Sequence, residues 1–292
     1  MTTEILRYAA FTDRPDGGNP AGVVLDASAL TDAEMQAIAA EVDFAETAFV
    51  TGRDGDAYRL RYFSPIAEVP FCGHATVATA VALAERGVGG GIRFATPVGD
   101  ILIETTTGAA GPRAAFTSVD TDLADLPEAT VDRLLDLLGL DASALSTTLP
   151  PRLAFAGNWH PVLVLDDAAA FDGFAFDAAD VRAYMDEQGW PATITVLHRL
   201  GEARFEARNL FPVGRITEDP ATGSAAASVG GYLRALGAVD VPGRVVIEQG
   251  RHVGRPGELT VDIPAAGGIT VSGGAVSIDH ARPESGRIDP TR

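Results

Sequence analysis

Glu68-Val69-Pro70-Phe71-Cys72-Gly73-His74-Ala75-Thr76 and Glu218-Asp219-Pro220-Ala221-Thr222-Gly223-Ser224-Ala225-Ala226 share one pattern, 150 residues apart. Each runs from a Glu and a Pro through a loop Gly into an Ala-rich segment, and the segments stop at Gly87 and Gly237, again at matching offsets. A loop, a helix start and a helix stop that recur at fixed spacing read as a duplicated unit. Two further echoes occur in the same order. Gly18-Asn19-Pro20 and Gly157-Asn158 each precede an apolar run ending in Asp26 or Asp166, and Arg61-Tyr62-Phe63-Ser64-Pro65 is matched by Arg208-Asn209-Leu210-Phe211-Pro212. This period exceeds the roughly 20 to 50 residues of solenoid repeats, so the chain reads as two domain-sized halves. A site between them would receive one helix N-terminus from each.

After His74, the residues to Leu83 are Ala, Thr, Val and Leu on every face, the composition of a helix buried inside a domain. The expected fold class is therefore α+β: two pseudo-symmetric halves, each a barrel-like, mostly antiparallel sheet around a central helix. Strands are expected over 4–11, 21–25, 44–50 and 58–63, with two more within 92–104. The second half repeats the plan, with strands near Ala154 and over 162–165, 193–198, 204–209, 245–248 and 258–263. Thr31 and Glu34 form a capping box ahead of a stripe of Met35, Ile38, Ala39 and Val42. Asp132 to Gly139 reads as a short amphipathic helix with a glycine stop. The expected division is 1–122 and 123–280, with a C-terminal strand near 270–280 joining the first half and a polar, mobile tail at 281–292.

At 292 residues and 46% hydrophobic content the chain can bury large cores. A net charge of -18 disfavours nucleic acid and anionic membranes, since neutralising phosphates needs clustered Lys and Arg. An anionic ligand must then be held by backbone amides or a few fixed side chains. No apolar run of about 18 residues and no basic-then-apolar leader is present, which gives the expectation of a soluble, cytoplasmic protein. A single cysteine, Cys72, excludes an intrachain disulfide framework, and the five histidines lack metal-ligand spacing. No metal and no cofactor are expected. Gly89-Gly90-Gly91 lacks the strand-first context of a phosphate-binding loop.

Strand alternation places Glu46 on the face of Phe44 and Ala48, where desolvation would raise its pKa and make it a proton carrier near neutral pH. A rim glutamate is the equally weighted alternative. His74 follows Gly73 at the first turn of the first buried helix, where the dipole disfavours imidazolium, and a neutral histidine follows. Its counterpart Ser224, and Asp219 at the mouth of the second helix, also read as ordinary caps. Singly, each residue reads as structural. Together, two facing helix N-termini flanked by Glu, His, Asp and Ser make an anion-binding, proton-handling cleft. Cys72 reads as a small buried apolar residue, with a thiol nucleophile or proton carrier as the alternative.

These motifs, with Ala45-Glu46-Thr47-Ala48-Phe49-Val50, Glu248-Gln249-Gly250 and Gly254-Arg255-Pro256, resemble the PhzF family of phenazine-biosynthesis-like isomerases, within the diaminopimelate epimerase and proline racemase fold. The resemblance covers residues from about 4 to 280. It implies two similar halves with a cleft between them, a homodimer and a cofactor-free proton shift. In the phenazine-synthesis enzyme a glutamate moves a proton between ring carbons of a dihydro-hydroxyanthranilate. By position, Glu46 would be that base and then acid, His74 and Asp219 would orient the substrate and assist proton movement as further catalytic residues, and Gly73, Gly223, Ser224 and Asn19 would bind it. Two departures stand out. Racemases of this fold oppose two cysteines, whereas here the second copy has Pro220-Ala221-Thr222, and Ala45 stands where some members carry a hydroxyl. The alternatives are an epimerase or racemase using Cys72 and a non-catalytic protein that binds small carboxylates.

Overall fold

The computed structural model describes residues 3–108, 111–214 and 216–278; the expected tail at 281–292 lies outside them. The first half runs β1 (Leu6–Ala10), β2 (Asn19–Val24), α1 (Asp32–Val42), β3 (Glu46–Asp54), β4 (Ala57–Phe63), β5 (Glu68–Val69), α2 (Gly73–Ala84), β6 (Gly90–Thr96), β7 (Gly99–Gly108) and β8 (Gly111–Thr117). The second runs β9 (Asp122–Asp125), α3 (Glu128–Leu138), β10 (Arg152–Phe155), β11 (Trp159–Leu165), α4 (Ala168–Gly173), α5 (Ala178–Gln188), β12 (Ile194–Gly201), β13 (Arg204–Leu210), β14 (Glu218–Asp219), α6 (Gly223–Ala235), β15 (Gly243–Gln249), β16 (Gly257–Ile263) and β17 (Thr270–Ser277).

In the first half β1, β2, β3, β4, β6, β7 and β8 pair in that order, and β17 bonds both β8 and β1 to close an eight-stranded barrel. The second half pairs β9, β10, β11, β12, β13, β15, β16 and β17. Two parallel contacts recur at matching places: β2 with β3 and β4 with β6 in one half, β11 with β12 and β13 with β15 in the other. β17 belongs to both sheets, because its Thr270–Ser272 stretch lies between β16 and β8 before the strand goes on to β1.

Each barrel is filled by its own helix. Every residue of α2 from His74 to Leu83 is buried, which suits side chains small enough for a narrow barrel. In α6, a Cβ at Gly230 would come within 2.7 Å of Ile269, and one at Gly231 within 2.7 Å of Thr121. The glycines let this helix approach the surrounding strands at a distance no side chain permits. Both helices end on the expected glycines, Gly87 (φ 84°) and Gly237 (φ 62°), in the left-handed region. One continuous apolar core includes residues of both barrels, from Tyr8 and Val77 to Val229 and Val271. The outer layers are separate. α1 places Met35 and Ala39 over Phe49 and Phe63, and α3, α4 and α5 cover β11, β12 and the end of β13.

β8, β9, α4 and α5 were not anticipated, whereas β17 lies where a C-terminal strand near 270–280 was expected to join the first half. β8 (GPRAAFT) is rich in Gly and Ala and carries no strong alternating signal, and α5 has Glu, Asp and Gln across its turns. β3 runs on to Asp54, past the expected end at residue 50.

The recurring Arg and Glu now have a structural explanation. β5 and β14 are two-residue strands that bring the chain from β4 and β13 to the helix starts, through Phe63 opposite Glu68 and Leu210 opposite Glu218. In both halves an arginine grips that glutamate with two nitrogens: Arg61 to Glu68 at 2.7 Å twice, Arg208 to Glu218 at 2.5 and 3.2 Å. The pairs differ in solvation, with side chains 27% and 39% exposed in the first and 7% and 9% in the second. Arg208 also donates to the carbonyls of Phe171 and Phe174 and stacks on the Phe174 ring. Removing one partner of a buried pair strands a charge, whereas exposed pairs contribute little. Arg208→Met is therefore expected to destabilise the fold by about 3–5 kcal/mol and Arg61→Met by about 1 kcal/mol or less in urea unfolding.

Candidate active site

Asn19, the first residue of β2, is buried, and its side-chain amide donates to Asp219 Oδ1 at 2.7 Å and to the Ala221 carbonyl at 2.9 Å. Asn19 was expected to contact ligand, and both protons of its NH₂ group are committed instead to the loop that leads into α6. Arg255 holds the other side of this turn through the carbonyls of Gly18 (2.8 Å) and Gly17 (2.5 Å). Gln249 clamps the same loop, donating to the Asp219 carbonyl at 2.6 Å and accepting from the Thr222 amide at 3.2 Å. At Gly250, φ is 89° and a Cβ would lie 2.5 Å from the Pro220 carbonyl oxygen, so the loops pack backbone against backbone. Neither Gln249 nor Arg255 was singled out individually, although both lie in motifs quoted from the sequence.

The structure brings Glu46, Cys72 and His74 together. Cys72 Sγ is 3.4 Å from Glu46 Oε2 and 3.3 Å from His74 Nδ1, and His74 Nε2 is 3.5 Å from Glu46 Oε2. Cys72 is buried as expected, but its thiol bonds the carboxylate, so it is more than apolar filler. Desolvation pushes Glu46 up to about 7, the nearby Asp219 charge pushes the same way, and the Cys72 bond opposes both. Asp219 is buried and raised to about 6 by desolvation, against the pull of its bonds to Thr222 Oγ1 (2.5 Å) and Asn19. Burial lowers His74 to about 4, offset in part by its bond to the Pro20 backbone, so the imidazole is neutral. The neutral state was expected from the helix dipole; in the structure desolvation by burial also favours it. Burial also raises the Cys72 thiol, as does the Glu46 charge.

Of the surface helices, α1, α4 and α5 are capped by Thr31, Asp167 and Asp177, and α3, which starts after Pro127, has no side-chain cap bond. α2 and α6 have no side-chain cap bond. Their N-caps are Cys72 and Thr222, and the Thr222 hydroxyl is drawn to Asp219. Neither His74, Ser224 nor Asp219 serves as the side-chain cap. The first-turn amides of Gly73 and His74 stand at one helix start and those of Gly223 and Ser224 at the other. Uncapped first-turn amides at a helix N-terminus suit an anionic group such as a carboxylate.

The strand registers define which residues are equivalent in the two halves. Thr47 faces Phe63 and Ile194 faces Leu210, so Glu46 corresponds to Thr193; Val69 likewise corresponds to Asp219. Each half thus supplies one carboxylate, from positions that do not correspond. Thr222 occupies the position of Cys72, so no second thiol opposes the first. His160, not anticipated as a site residue, corresponds to Ala21 and is fully buried beside Ser224, with Nε2 3.2 Å from Ser224 Oγ. An isolated histidine after Asn158-Trp159 gave no sequence signal for this contact.

Glu46, Cys72 and His74 offer donor atoms within 4.8 Å of one another and could hold a metal ion. Metal binding would have to displace the thiol proton, which burial retains at neutral pH. Among the described residues, no helix is long and apolar enough to cross a membrane.

The family model for PhzC-PhzF, phenazine biosynthesis-like proteins, matches residues 8–281. The chain is 35% identical over 276 residues to an uncharacterized isomerase of Deinococcus radiodurans, covering 91% of this chain and 89% of that one. It is 36% identical over 269 residues to an uncharacterized isomerase of Pseudomonas aeruginosa, covering 90% and 92%. A Bacillus anthracis phenazine biosynthesis protein of the PhzF family superposes with a TM-score of 0.84 at 29% identity, over 95% and 97% of the chains. A probable proline racemase from Agrobacterium radiobacter shares the fold at 12% identity and a TM-score of 0.62, over 94% and 91%.

The raised carboxylates cost stability. Between 4.5, the ordinary Glu46 value, and about 7, the unfolded chain has released the Glu46 proton and the folded chain retains it, so the fold weakens as pH rises through that window. Glu46→Gln is expected to unfold later in urea than the parent at about pH 8, by about 3 kcal/mol, with the gain vanishing below about pH 4.5.

Proposed function

Because this chain belongs to the PhzC-PhzF family of phenazine biosynthesis-like proteins, and the Deinococcus and Pseudomonas relatives are named isomerases, we propose that it moves a proton on a small cyclic or unsaturated carboxylate, with Glu46 as the shuttle and no cofactor. The observation that carries this reading is the Glu46 carboxyl itself, desolvated inside the first barrel's mouth with its pKa raised to about 7. A group that titrates at the working pH can both take and return a proton.

The substrate carboxylate sits on the uncapped amides of Gly73, Gly223 and Ser224, its charge favoured by two helix N-termini. Ionised Glu46 removes a proton from carbon, and the resulting carboxylic acid delivers it to a second carbon of the same delocalised system. The Cys72 thiol donates to the carboxylate in its ionised state and steadies its orientation. His74, kept neutral by burial, brings no charge to Glu46, so it does not hold Glu46 ionised at low pH. Asp219 raises Glu46 by like-charge repulsion and is itself held by Asn19 and Thr222. Racemisation between opposed thiols is disfavoured, since Thr222 stands where the second thiol would be.

Solvent deuterium exchange followed by NMR, with a panel of small cyclic and unsaturated carboxylates including dihydro-hydroxyanthranilate, tests this reading. Exchange is expected to fall by about 10²–10⁴-fold in Glu46→Gln while ligand binding persists. Binding with no exchange in either protein would leave only a carboxylate-binding module. With a turned-over substrate, kcat/KM is expected to rise about tenfold per pH unit below about 7 and then level off. Cys72→Ala is expected to keep activity within about tenfold of the parent, since a neutral thiol hydrogen bond contributes on the order of 1 kcal/mol; a loss comparable to that of Glu46→Gln would favour thiol chemistry instead.

A further inference from the structure

Glu46 opens β3, Cys72 precedes α2 and His74 is the second residue of that helix, so three donors meet where a strand and a helix start side by side. Among the described residues they form the one group of three His, Cys, Asp or Glu side chains whose donor atoms all lie within 4.8 Å of one another. Cys72 Sγ is 3.4 Å from Glu46 Oε2 and 3.7 Å from His74 Nε2, and Nε2 is 3.5 Å from Oε2. A tetrahedral zinc ion bonds sulfur at about 2.3 Å and nitrogen or oxygen at about 2.0–2.2 Å, which leaves its ligand atoms roughly 3.3–3.7 Å apart. The three atoms therefore already form one face of a zinc tetrahedron. The edge between Nε2 and Oε2 exceeds the range of about 2.7–3.2 Å for an N–H···O hydrogen bond, so a shared proton does not set that spacing.

The charges agree with the geometry. Asp219 adds its like charge to that of Glu46, and a divalent cation relieves that repulsion. With the Glu46 carboxylate and the Cys72 thiolate the cation forms a neutral set, which burial penalises far less than a lone thiolate. On binding, the Cys72 S–H bond breaks and its proton, with any on Glu46, passes to solvent. Bonds form from the metal to Sγ, Oε2 and Nε2, with no change of oxidation state. Thiolate and imidazole donors select zinc over magnesium or calcium, which take oxygen ligands. Three protein ligands leave a fourth position for water. The Glu46 side chain, 18% exposed against 8% for His74, marks the side from which an ion enters. The matching positions of the second half are Thr193, Thr222 and Ser224, three hydroxyls, so one ion per chain is expected.

We propose that Glu46, Cys72 and His74 form a zinc site, and that the ion held there is an inhibitor because it occupies the oxygen that otherwise carries the proton. The site rests on its own geometry; the inhibition rests on the Glu46 shuttle proposed above. Zinc is then a reversible off-switch for this chain and not its cofactor.

The test uses the untagged full chain, stripped of metal with EDTA. Cobalt(II) is the probe of sulfur ligation: Cys72 is the single cysteine of the chain, so a sulfur-to-cobalt charge-transfer band can come from no other residue. That band and the visible bands of tetrahedral cobalt are expected at one equivalent, and their absence would overturn the site. Calorimetry with zinc at about pH 7 is expected to give a dissociation constant below about 10 μM, weakened more than about 100-fold in Cys72→Ala and in His74→Gln. Undiminished affinity in Cys72→Ala would put the ion elsewhere and overturn the site. The cobalt spectrum is read on the parent, so the test does not depend on either variant folding. In the deuterium-exchange assay, saturating zinc is expected to lower exchange at least about tenfold, and EDTA to restore it. Zinc bound with exchange undiminished would overturn both the inhibition and the Glu46 shuttle while the site stands. Exchange lost when EDTA removes zinc would make the ion a cofactor and overturn the inhibition. Should no carboxylate exchange under any condition, the functional reading and the inhibition fall together, and the cobalt spectrum alone decides the site.

Discussion

The site depends on one side chain that crosses between the halves. The Asn19 amide reaches from the start of β2 to Asp219 and to the Ala221 carbonyl, so the loop leading into α6 is fixed relative to the strand beside Glu46. Its neighbour Pro20 offers the carbonyl that orients His74. Two consecutive residues thus set the second-half carboxylate and the first-half imidazole. Buried hydrogen bonds of this kind contribute only about 1 kcal/mol net each, but leaving such groups unpaired costs more. The geometry is held chiefly because every alternative leaves a buried polar group unsatisfied.

The duplication repeats the strand order and is unequal in chemistry. The same parallel and antiparallel contacts recur, the same arginine grips the same glutamate, and both central helices start uncapped. The ionisable groups differ. Glu46 corresponds to Thr193, Val69 to Asp219, Cys72 to Thr222 and Ala21 to His160. One half therefore carries a cluster of carboxylate, thiol and imidazole, while the other carries hydroxyls around an imidazole and a single carboxylate. A symmetric site would favour a symmetric reaction, with equivalent acid and base on opposite faces. The asymmetry here suits a single proton carrier facing a binding wall.

Burial drives the chemistry and sets its cost. Glu46 and Asp219 are raised toward neutrality by desolvation, and His74 and His160 are lowered by the same cause. Near pH 7 both imidazoles are neutral, Glu46 is close to half ionised and Asp219 is mostly ionised, which keeps the site within reach of small changes in protonation. The carboxylates weaken the fold as pH rises through their range, and the histidines weaken it as pH falls from about 6.5 toward about 4, because the unfolded chain takes up protons that the folded one refuses. The apolar core shared by the two barrels offsets that cost.

Much of this was readable from the sequence because repetition carries information that single residues lack. The paired motifs gave two halves, two buried helices with their glycine stops, and the nearness of Glu46, His74, Asp219 and Ser224 to helix starts. Capping, alternation and all-round apolarity are local properties, written within a few residues of where they act. The commitment of Asn19 to Asp219, the bond from Cys72 to Glu46 and the pairing of His160 with Ser224 join residues 26 to 200 positions apart in sequence. Such contacts depend on register and on which polar groups are left to find one another inside a packed barrel. The sequence determined the units and their helix ends, since backbone and side-chain preferences act locally; the tertiary structure alone decided which buried donors and acceptors meet, since desolvation and pairing exist only once the chain has closed around them.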